Sequence, residues 1–404
     1  MKHNFFYKIL RFGYHHVYLP VSLYIIKIIY KNKPIQKNKI VIDNFSGRGM
    51  GDNPKYIVEA LMKEDKNLDI VWEISDKNII MPIGIRRVKY HTPQALRELL
   101  TAKVWIDNVK NSFKPDKRKG QFYLQTWHAG LGLKASERQV QNNLSPEYVA
   151  NSKRDASMTD LMLSDSEWTT SIYKNWFWYN GPIEKTGFPR NDILVNQSAS
   201  ISEKVRKYFE LSKDIDIVLY APTFRDNNLN LNIYKFNFLK VIAALNNKFK
   251  SNYVVLIRLH PNIADYMDKS NLYKFDSRIK NASLYPDMQE LIVACDSLIT
   301  DYSSCMFDAM IAKKKVFLLA KDLYNFEKKD RNLLFNIKSD LPFSFSKNEE
   351  EIVKNINLFN NINYKCSVDN FMKKVGLYED GHAAERVAHI ILQQINNENV
   401  EERG

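Results

Sequence analysis

Leu298-Ile299-Thr300-Asp301-Tyr302-Ser303-Ser304-Cys305-Met306-Phe307-Asp308 carries an apolar strand directly into hydroxyls and a carboxylate, at the point where a helix begins. A helix start leaves backbone N–H groups unpaired and carries partial positive charge. A phosphate accepts hydrogen bonds there while Ser303 or Ser304 caps the turn. Taken alone, the segment reads as ordinary helix capping by Ser and Asp; the rest of the chain gives it weight.

Working outward, apolar runs at Ile215–Tyr220, Tyr253–Ile257, Ser297–Ile299 and Val316–Leu319 predict the strands of one α/β unit. A second set lies upstream. Lys39–Asp43 predicts a strand, Ser46-Gly47-Arg48-Gly49-Met50-Gly51 a turn, and Tyr56–Met62 a helix, followed by strands at Asp69–Trp72, Val104–Ile106 and Phe122–Leu124. The Gly-rich turn lacks the full dinucleotide fingerprint and no acidic residue is placed after the next strand, so it reads as a flexible turn over a cleft. Residues 195–212 are polar and read as a linker. The fold class expected is therefore α/β with two domains whose strand ends face a common cleft, ligands lying beyond the carboxyl ends of the strands. The boundaries follow: 1–38 as a basic and apolar membrane-associating segment, 39–205 as an acceptor-binding domain, 206–375 as a nucleotide-donor domain, and 376–404 as a C-terminal helix and tail.

The 404 residues, 45% hydrophobic, suffice for two cores, which excludes disorder. A formal net charge of +13 favours an anionic partner. The cations are spread along the chain, with neither zinc-finger spacing nor an RNP-type motif, so no nucleic acid is expected. Cys295, Cys305 and Cys366 show no paired spacing and predict neither disulfides nor a zinc site, as in an intracellular chain. Residues 5–30 are aromatic and aliphatic but broken by Lys8, Arg11 and Lys27, too short an apolar run to span a bilayer. With Phe5, Phe6, Tyr7, Leu10, Tyr14, Tyr18, Ile25 and Ile26, the segment suits an amphipathic helix on an anionic membrane surface, or equally one packed on the domain.

Five polar clusters close strands or turns: Gln125–Gly130, Thr186–Asp192, Ala221–Arg225, Arg258–Asn262 and the Asp301 region. His128, after a strand and before glycines, suits a base working near neutral pH. His260, between Arg258 and Pro261, suits contact with a phosphate and a leaving group. Arg225 and Arg258 offer planar donor forks, and with Thr300, Ser303 and Ser304 they outline a diphosphate pocket; an interdomain salt bridge is the alternative. No Walker, His-Glu-x-x-His or Asp-x-Asp spacing demands a metal, and no cofactor is expected.

Together, Gln-Thr-Trp-His at 125–128, Thr-Gly-Phe-Pro-Arg-Asn-Asp at 186–192, Ala-Pro-Thr-Phe-Arg at 221–225, Arg-Leu-His-Pro at 258–261 and Thr-Asp-Tyr-Ser-Ser at 300–304 resemble, in order, the CDP-glycerol glycerophosphotransferase family. Met306-Phe307-Asp308 and Asp380-Gly381-His382-Ala383-Ala384-Glu385-Arg386 extend the likeness over residues 40–390. The resemblance implies a GT-B-like pair of Rossmann-type domains. His128 would deprotonate the acceptor hydroxyl, and His260 would contact the donor diphosphate and support departure of CMP. Arg225, Arg258, Asn262, Thr300, Asp301, Ser303, Ser304 and Asp308 would form the donor side, and Trp127, Lys134, Arg190 and Asp192 the acceptor side or cleft. The implied partners are CDP-glycerol or a related CDP-polyol, a polyprenyl-diphosphate-linked glycan acceptor and the cytoplasmic face of the cell membrane, in teichoic acid or capsule synthesis. Alternatives are a GT-B glycosyltransferase using a nucleotide sugar, a CDP-ribitol-dependent enzyme, and a non-catalytic binder of polyanions or lipids. One departure bears on the acceptor: the family pattern Gly-Thr-Pro-Leu-Lys after the first histidine is replaced here by Ala129-Gly130-Leu131-Gly132-Leu133-Lys134. His382 also stands where other residues are common.

Overall fold

The structure, a computed structural model, describes residues 18–111, 113–225, 233–260, 273–329 and 332–396. Two wholly parallel sheets with helices on both faces form the architecture. The first holds β1 (Gln36–Asp43), β2 (Asp69–Ile74), β3 (Ile85–Lys89), β4 (Ala102–Asp107), β5 (Phe122–Gln125), β6 (Leu161–Leu163) and β7 (Ile183–Glu184), in the order β3-β2-β1-β4-β5-β6-β7. The second holds β8 (Ile215–Tyr220), β9 (Asn252–Ile257), β10 (Ile279–Asn281), β11 (Ser297–Thr300), β12 (Lys315–Leu319) and β13 (Ser344–Ser346), in the order β10-β9-β8-β11-β12-β13. The central strands are continuous aliphatic runs because both faces are covered: Ile40, Val41 and Ile42 are wholly buried, as are Val218 and Leu219.

The strand order reverses beside β1 and again beside β8, which opens a crevice at each reversal. Helices are stopped and started by local chemistry. Thr92, Ser145 and Ser166 each cap a helix by accepting a backbone N–H, from Ala95, Tyr148 and Thr169. The C-terminal helix Ala383–Asn396 crosses back to the first lobe, burying Val387, Ala388 and Ile391 with Ile57 and Leu61 of the helix Asp52–Glu64. Phe188, after β7, joins the same cluster.

The lobes are bound to each other through backbone and charge. Leu133 accepts a hydrogen bond from Leu334 N at 2.8 Å, and Ala135 N donates to Asn332 O at 2.9 Å. Lys55 of the first lobe pairs with Asp287 at 2.6 Å and Glu290 at 3.1 Å in the second. Beneath the carboxyl ends of the first sheet, Glu73, Asp43, Asp107 and Gln125 form one row in register across β2, β1, β4 and β5. The wholly buried Lys114 Nζ lies 2.9 Å from Asp107 in that row.

The Gly-rich turn after β1 is not the flexible flap expected from its sequence. Gly47 N donates to Asp43 at 2.7 Å, Ser75 N to Gly47 O at 2.8 Å, and Asn44 Nδ2 to Gly49 O at 3.0 Å. Its glycines answer a steric need, since at Gly47 φ is +80° and a Cβ would lie 2.7 Å from Ser75 Oγ. Among the described residues, no helix is long and apolar enough to cross a membrane. Of the predicted amphipathic segment, residues 5–17 lie outside the described residues. The rest forms the helix Leu19–Tyr30, with Leu19 buried and Tyr24 67% exposed.

Candidate active site

Much of the interlobe cleft is lined from the carboxyl ends of strands, with the helix Glu167–Trp176 contributing Trp168, Ile172 and Tyr173. Phe45 follows β1, Trp127 and His128 follow β5, Ala221–Phe224 follow β8, Arg258–His260 follow β9, and Tyr302–Cys305 follow β11. The cavity has a volume of about 600 Å³.

His128 is held by its neighbours. Gln125 Oε1 accepts Trp127 N at 3.0 Å, and Asn53 Nδ2 donates to Trp127 O at 3.0 Å, which fixes Trp127 at φ +54°. That left-handed conformation in a bulky residue is strained, and it turns the next side chain into the cleft. His128 Nδ1 then lies 2.8 Å from the Asn108 carbonyl oxygen. A carbonyl only accepts, so Nδ1 carries the hydrogen and neutral His128 keeps Nε2 as its acceptor nitrogen. Asn108 is itself fixed, accepting from Phe45 N at 2.9 Å and donating to Asn44 at 2.8 Å. Phe45 meets the imidazole edge-on at 5.2 Å.

The facing wall is cationic and hydroxylic. Arg258 donates Nη1 to the carbonyls of Ala282 and Tyr285 and has no carboxylate ion pair among the described residues. Burial pulls this guanidinium below its ordinary range, and only part of that is offset by Asp287. The His260 ring stacks on Phe224 at 5.3 Å with planes 18° apart. Ser303 and Ser304 line the cleft before the short helix Cys305–Ile311. Neither caps it in the expected way: Ser304 occupies the cap position without a side-chain hydrogen bond, and Ser303 Oγ accepts from Cys305 N at a long 3.4 Å.

Arg190 bridges the two sides. Its Nη1 donates to Asp52 at 2.8 Å and to the His128 carbonyl at 2.7 Å, and its Nη2 donates to Asp308 at 3.1 Å. Burial disfavours its charge, yet Asp308 and Asp52 more than offset that and raise its pKa. Asp308 is pushed up by burial and drawn back by Arg190; Gln289 Nε2 donates to its other oxygen at 3.1 Å.

The structure thus brings Trp127, His128, Lys134, Arg190, Arg258, His260, Ser303, Ser304 and Asp308 to one cavity. Four others stand behind it or away from it. Arg225 directs its fork at carboxylates, reaching Asp322 twice at 2.9 Å and Asp301 at 2.8 Å, rather than into the cleft. Asp301 is a buckle, accepting Thr223 N at 2.7 Å and Tyr302 N at 2.6 Å. Thr300 Oγ1 donates to Ala221 O at 2.7 Å. Asp192 accepts the N–H groups of Ala383 and Ala384 at 2.9 and 2.7 Å and so starts the C-terminal helix. Asn262 lies outside the described residues. Sequence reasoning passed over Asp52, Asn53 and Asn108. Asn108, a polar residue just beyond β4, carried the same strand-end signal that singled out His128.

Two parallel α/β lobes enclosing a cleft that sets an imidazole opposite arginine and serines define a two-lobed α/β protein with an interlobe ligand site. The chain belongs to the CDP-Glycerol:Poly(glycerophosphate) glycerophosphotransferase family, whose sequence profile matches residues 25–393. It is 29% identical over 381 residues to the teichoic acid poly(glycerol phosphate) polymerase of Staphylococcus epidermidis, covering 91% of this chain and 52% of that one. It is 28% identical over 370 residues to the teichoic acid glycerol-phosphate transferase of Staphylococcus aureus, covering 88% and 93%. The chain therefore spans about half the length of the first relative. A solved structure of the wall teichoic acid polymerase TagF superposes with a TM-score of 0.81 at 27% identity, covering 98% of this chain and 99% of that one.

Proposed function

We propose that this chain transfers a polyol phosphate, in the first place glycerol phosphate, from a CDP-activated donor to a hydroxyl of a lipid-linked glycan or polyol-phosphate acceptor. CMP is released, and the product belongs to teichoic acid or capsule-type polymer synthesis. The observation that carries this reading is the His128–Asn108 contact of 2.8 Å in the same cleft as Arg258, His260, Ser303 and Ser304. His128 Nε2 takes the proton of the acceptor hydroxyl as its oxygen attacks the β-phosphorus of the donor. The phosphorus–oxygen bond to CMP breaks, and Arg258 with His260 faces the charge that develops on the phosphates. Arg190 and Asp308 act as positioning residues that hold the His128 loop against the donor wall. Arg225 and Asp301 position that wall from behind.

The two sheets, with strand ends contributing to both sides of the cleft, support a GT-B-like arrangement of an acceptor domain over 39–205 and a donor domain over 206–375, with the helix Ala383–Asn396 of the C-terminal segment closing back on the first. The helix Leu19–Tyr30, with Tyr24, Ile25, Ile28 and Ile29 exposed beside Lys27 and Lys31, supports peripheral association with the anionic cytoplasmic face of the membrane.

The test is CMP release by purified protein given CDP-glycerol or CDP-ribitol with a lipid-linked disaccharide, run beside UDP-sugars. Acceptor-dependent CMP release establishes the transfer. UDP release with silence from both CDP-polyols moves the chain to the nucleotide-sugar glycosyltransferases.

A further inference from the structure

The transfer reading gives the Gly-rich turn after β1 no role, yet the turn is bonded inward at several points. Trp72 Nε1 donates to Gly49 O at 3.2 Å, beside the bond that Asn44 makes to the same oxygen. The turn delivers the start of the helix Asp52–Glu64. Gly51 is extended, and Asp52 follows at φ +52°, a left-handed conformation that costs a non-glycine residue free energy. The next residue, Asn53, is wholly buried. It stands behind Asp52, Trp127 and Arg190, which line the cleft.

Asn53 closes a ring of hydrogen bonds around the backbone that carries His128. Its Nδ2 donates to Trp127 O at 3.0 Å, and its Oδ1 accepts from Arg190 N at 3.1 Å. Arg190 Nη1 donates in turn to His128 O at 2.7 Å. The carbonyls of Trp127 and His128 are therefore both held, and the two bonds meet again at Arg190. Asp52 pins the same Nη1 at 2.8 Å, and Gln125 Oε1 accepts the N–H of Trp127 at 3.0 Å. A side chain placed between a carbonyl and an N–H has to supply one donor and one acceptor, which an amide does. A carboxylate of the same shape only accepts, and it would set an oxygen against the Trp127 carbonyl.

We propose that Asn53 is a positioning residue for the His128 base, and that the Gly-rich turn exists to deliver it. Asn53 fixes the left-handed turn at Trp127; that turn sets His128 Nδ1 against Asn108 O and keeps Nε2 as the acceptor nitrogen. Asn53 acts through the backbone of its neighbours and meets no reacting atom. The inference rests on the transfer reading for what the imidazole does, whereas the orientation of the ring is a property of the chain alone.

Asn53→Asp keeps the shape and loses the donor, and Asn53→Ala removes both bonds. Ile57→Val is the control: it thins the buried face of the same helix and leaves the ring of hydrogen bonds intact. In steady-state CMP release from CDP-glycerol, both Asn53 variants are expected to lose about 100-fold in kcat with the KM for CDP-glycerol within about twofold of wild type, because a misplaced base costs turnover rather than donor binding. Ile57→Val keeps the wild-type kcat, and thermal midpoints report whether each variant is folded. The second readout needs no turnover. Nitrogen NMR of the full chain carrying isotope-labelled histidine, with the His128 signals assigned by their loss in His128→Ala, shows the Nδ1–H tautomer in wild type and Ile57→Val and a mixture of tautomers in both Asn53 variants. A near-normal kcat in folded Asn53→Asp overturns the inference, and so does a His128 tautomer that neither Asn53 variant moves. Should the wild type release no CMP from CDP-glycerol, the transfer reading fails, while the nitrogen spectra still decide whether Asn53 orients the ring.

Discussion

His128 Nδ1 lies 2.8 Å from the carbonyl oxygen of Asn108, and this contact decides which ring nitrogen faces chemistry. Asn108 directly follows Asp107, the last residue of β4, so the sheet itself positions the imidazole. The hydrogen bonds from Phe45 N and to Asn44 hold Asn108 in turn. In the proposed transfer, an imidazole held this way presents Nε2, not Nδ1, to the proton of the acceptor hydroxyl.

Removing that base is the first prediction. His128→Ala lowers acceptor-dependent CMP release by about 100-fold or more, the usual scale of a lost general base, while CDP-glycerol still binds. Turnover measured beside a donor titration checks it, and near-normal turnover takes His128 out of the mechanism.

Arg190 holds two carboxylates from different lobes, with side chains that are all less than a tenth exposed. Arg190→Ala leaves Asp52 and Asp308 buried without their cation, a change that costs on the order of 3–5 kcal/mol. Arg190→Lys keeps the charge but cannot fork to both, so it recovers only part of the loss. Urea unfolding measures both variants; a loss below about 1 kcal/mol for the alanine contradicts the strut.

The two glycines after His128 differ in what they tolerate. A Cβ on Gly130 would lie 1.8 Å from Asp165 Oδ2, whereas on Gly132 its nearest neighbour would be Gly130 O at 3.8 Å. Asp165 is buried and fixed by Ser166 at 3.0 Å, so it cannot withdraw. Gly130→Ala is expected to lower the thermal midpoint by several degrees and to reduce CMP release, with Gly132→Ala close to wild type in midpoint. Equal midpoints for the two variants contradict the packing argument.

Membrane association is tested on the helix Leu19–Tyr30. Replacing Tyr24 and Ile28 together by Glu removes apolar contact worth about 1.5–3 kcal/mol per buried side chain and adds repulsion from anionic lipid. Co-sedimentation with phosphatidylglycerol vesicles falls more than tenfold, while CMP release with a soluble acceptor persists. Unchanged co-sedimentation removes this helix as the contact.

The strand-end logic was legible in the sequence because the central strands are long β-rich runs, and the polar residue just past each run reveals the cleft. The short strands β6, β7, β10 and β13 span only two or three residues and carry no readable period. Direction was the harder matter. Arg225 has the right chemistry for phosphate, but Asp322 and Asp301, brought to it only by the fold, take its donors. Asp192 sits within a recognisable motif, yet it serves a helix that begins at Ala383. Residue type and local position identify a polar group; long-range partners decide where it points.

The row Glu73–Asp43–Asp107 gives stability an unusual pH dependence. One buried lysine, Lys114, cannot neutralise three carboxylates, and Asp155 on the helix Pro146–Met158 approaches the same cluster through Tyr123, whose hydroxyl reaches Asp107 at 3.0 Å and Asp155 at 2.9 Å. Burial, against the pull of Lys114 and with Asp43 adding repulsion, pushes Asp107 up to about 8, and burial raises Glu73, Asp43 and Asp155 as well. These carboxyls titrate near 4 in the unfolded chain, so between about pH 4 and 8 the folded state holds more protons than the unfolded one. The derivative of unfolding free energy with pH is then negative. The contribution is complete below the unfolded values and is lost as pH rises toward 8, at about 1.4 kcal/mol per pH unit for each excess proton. Urea midpoints are expected to fall from pH 5 to pH 8, and Asp107→Asn, which keeps the shape and removes one titration, flattens that fall. A midpoint that rises over this range, or a slope the substitution leaves unchanged, would mean that Lys114 holds the carboxylates ionised throughout.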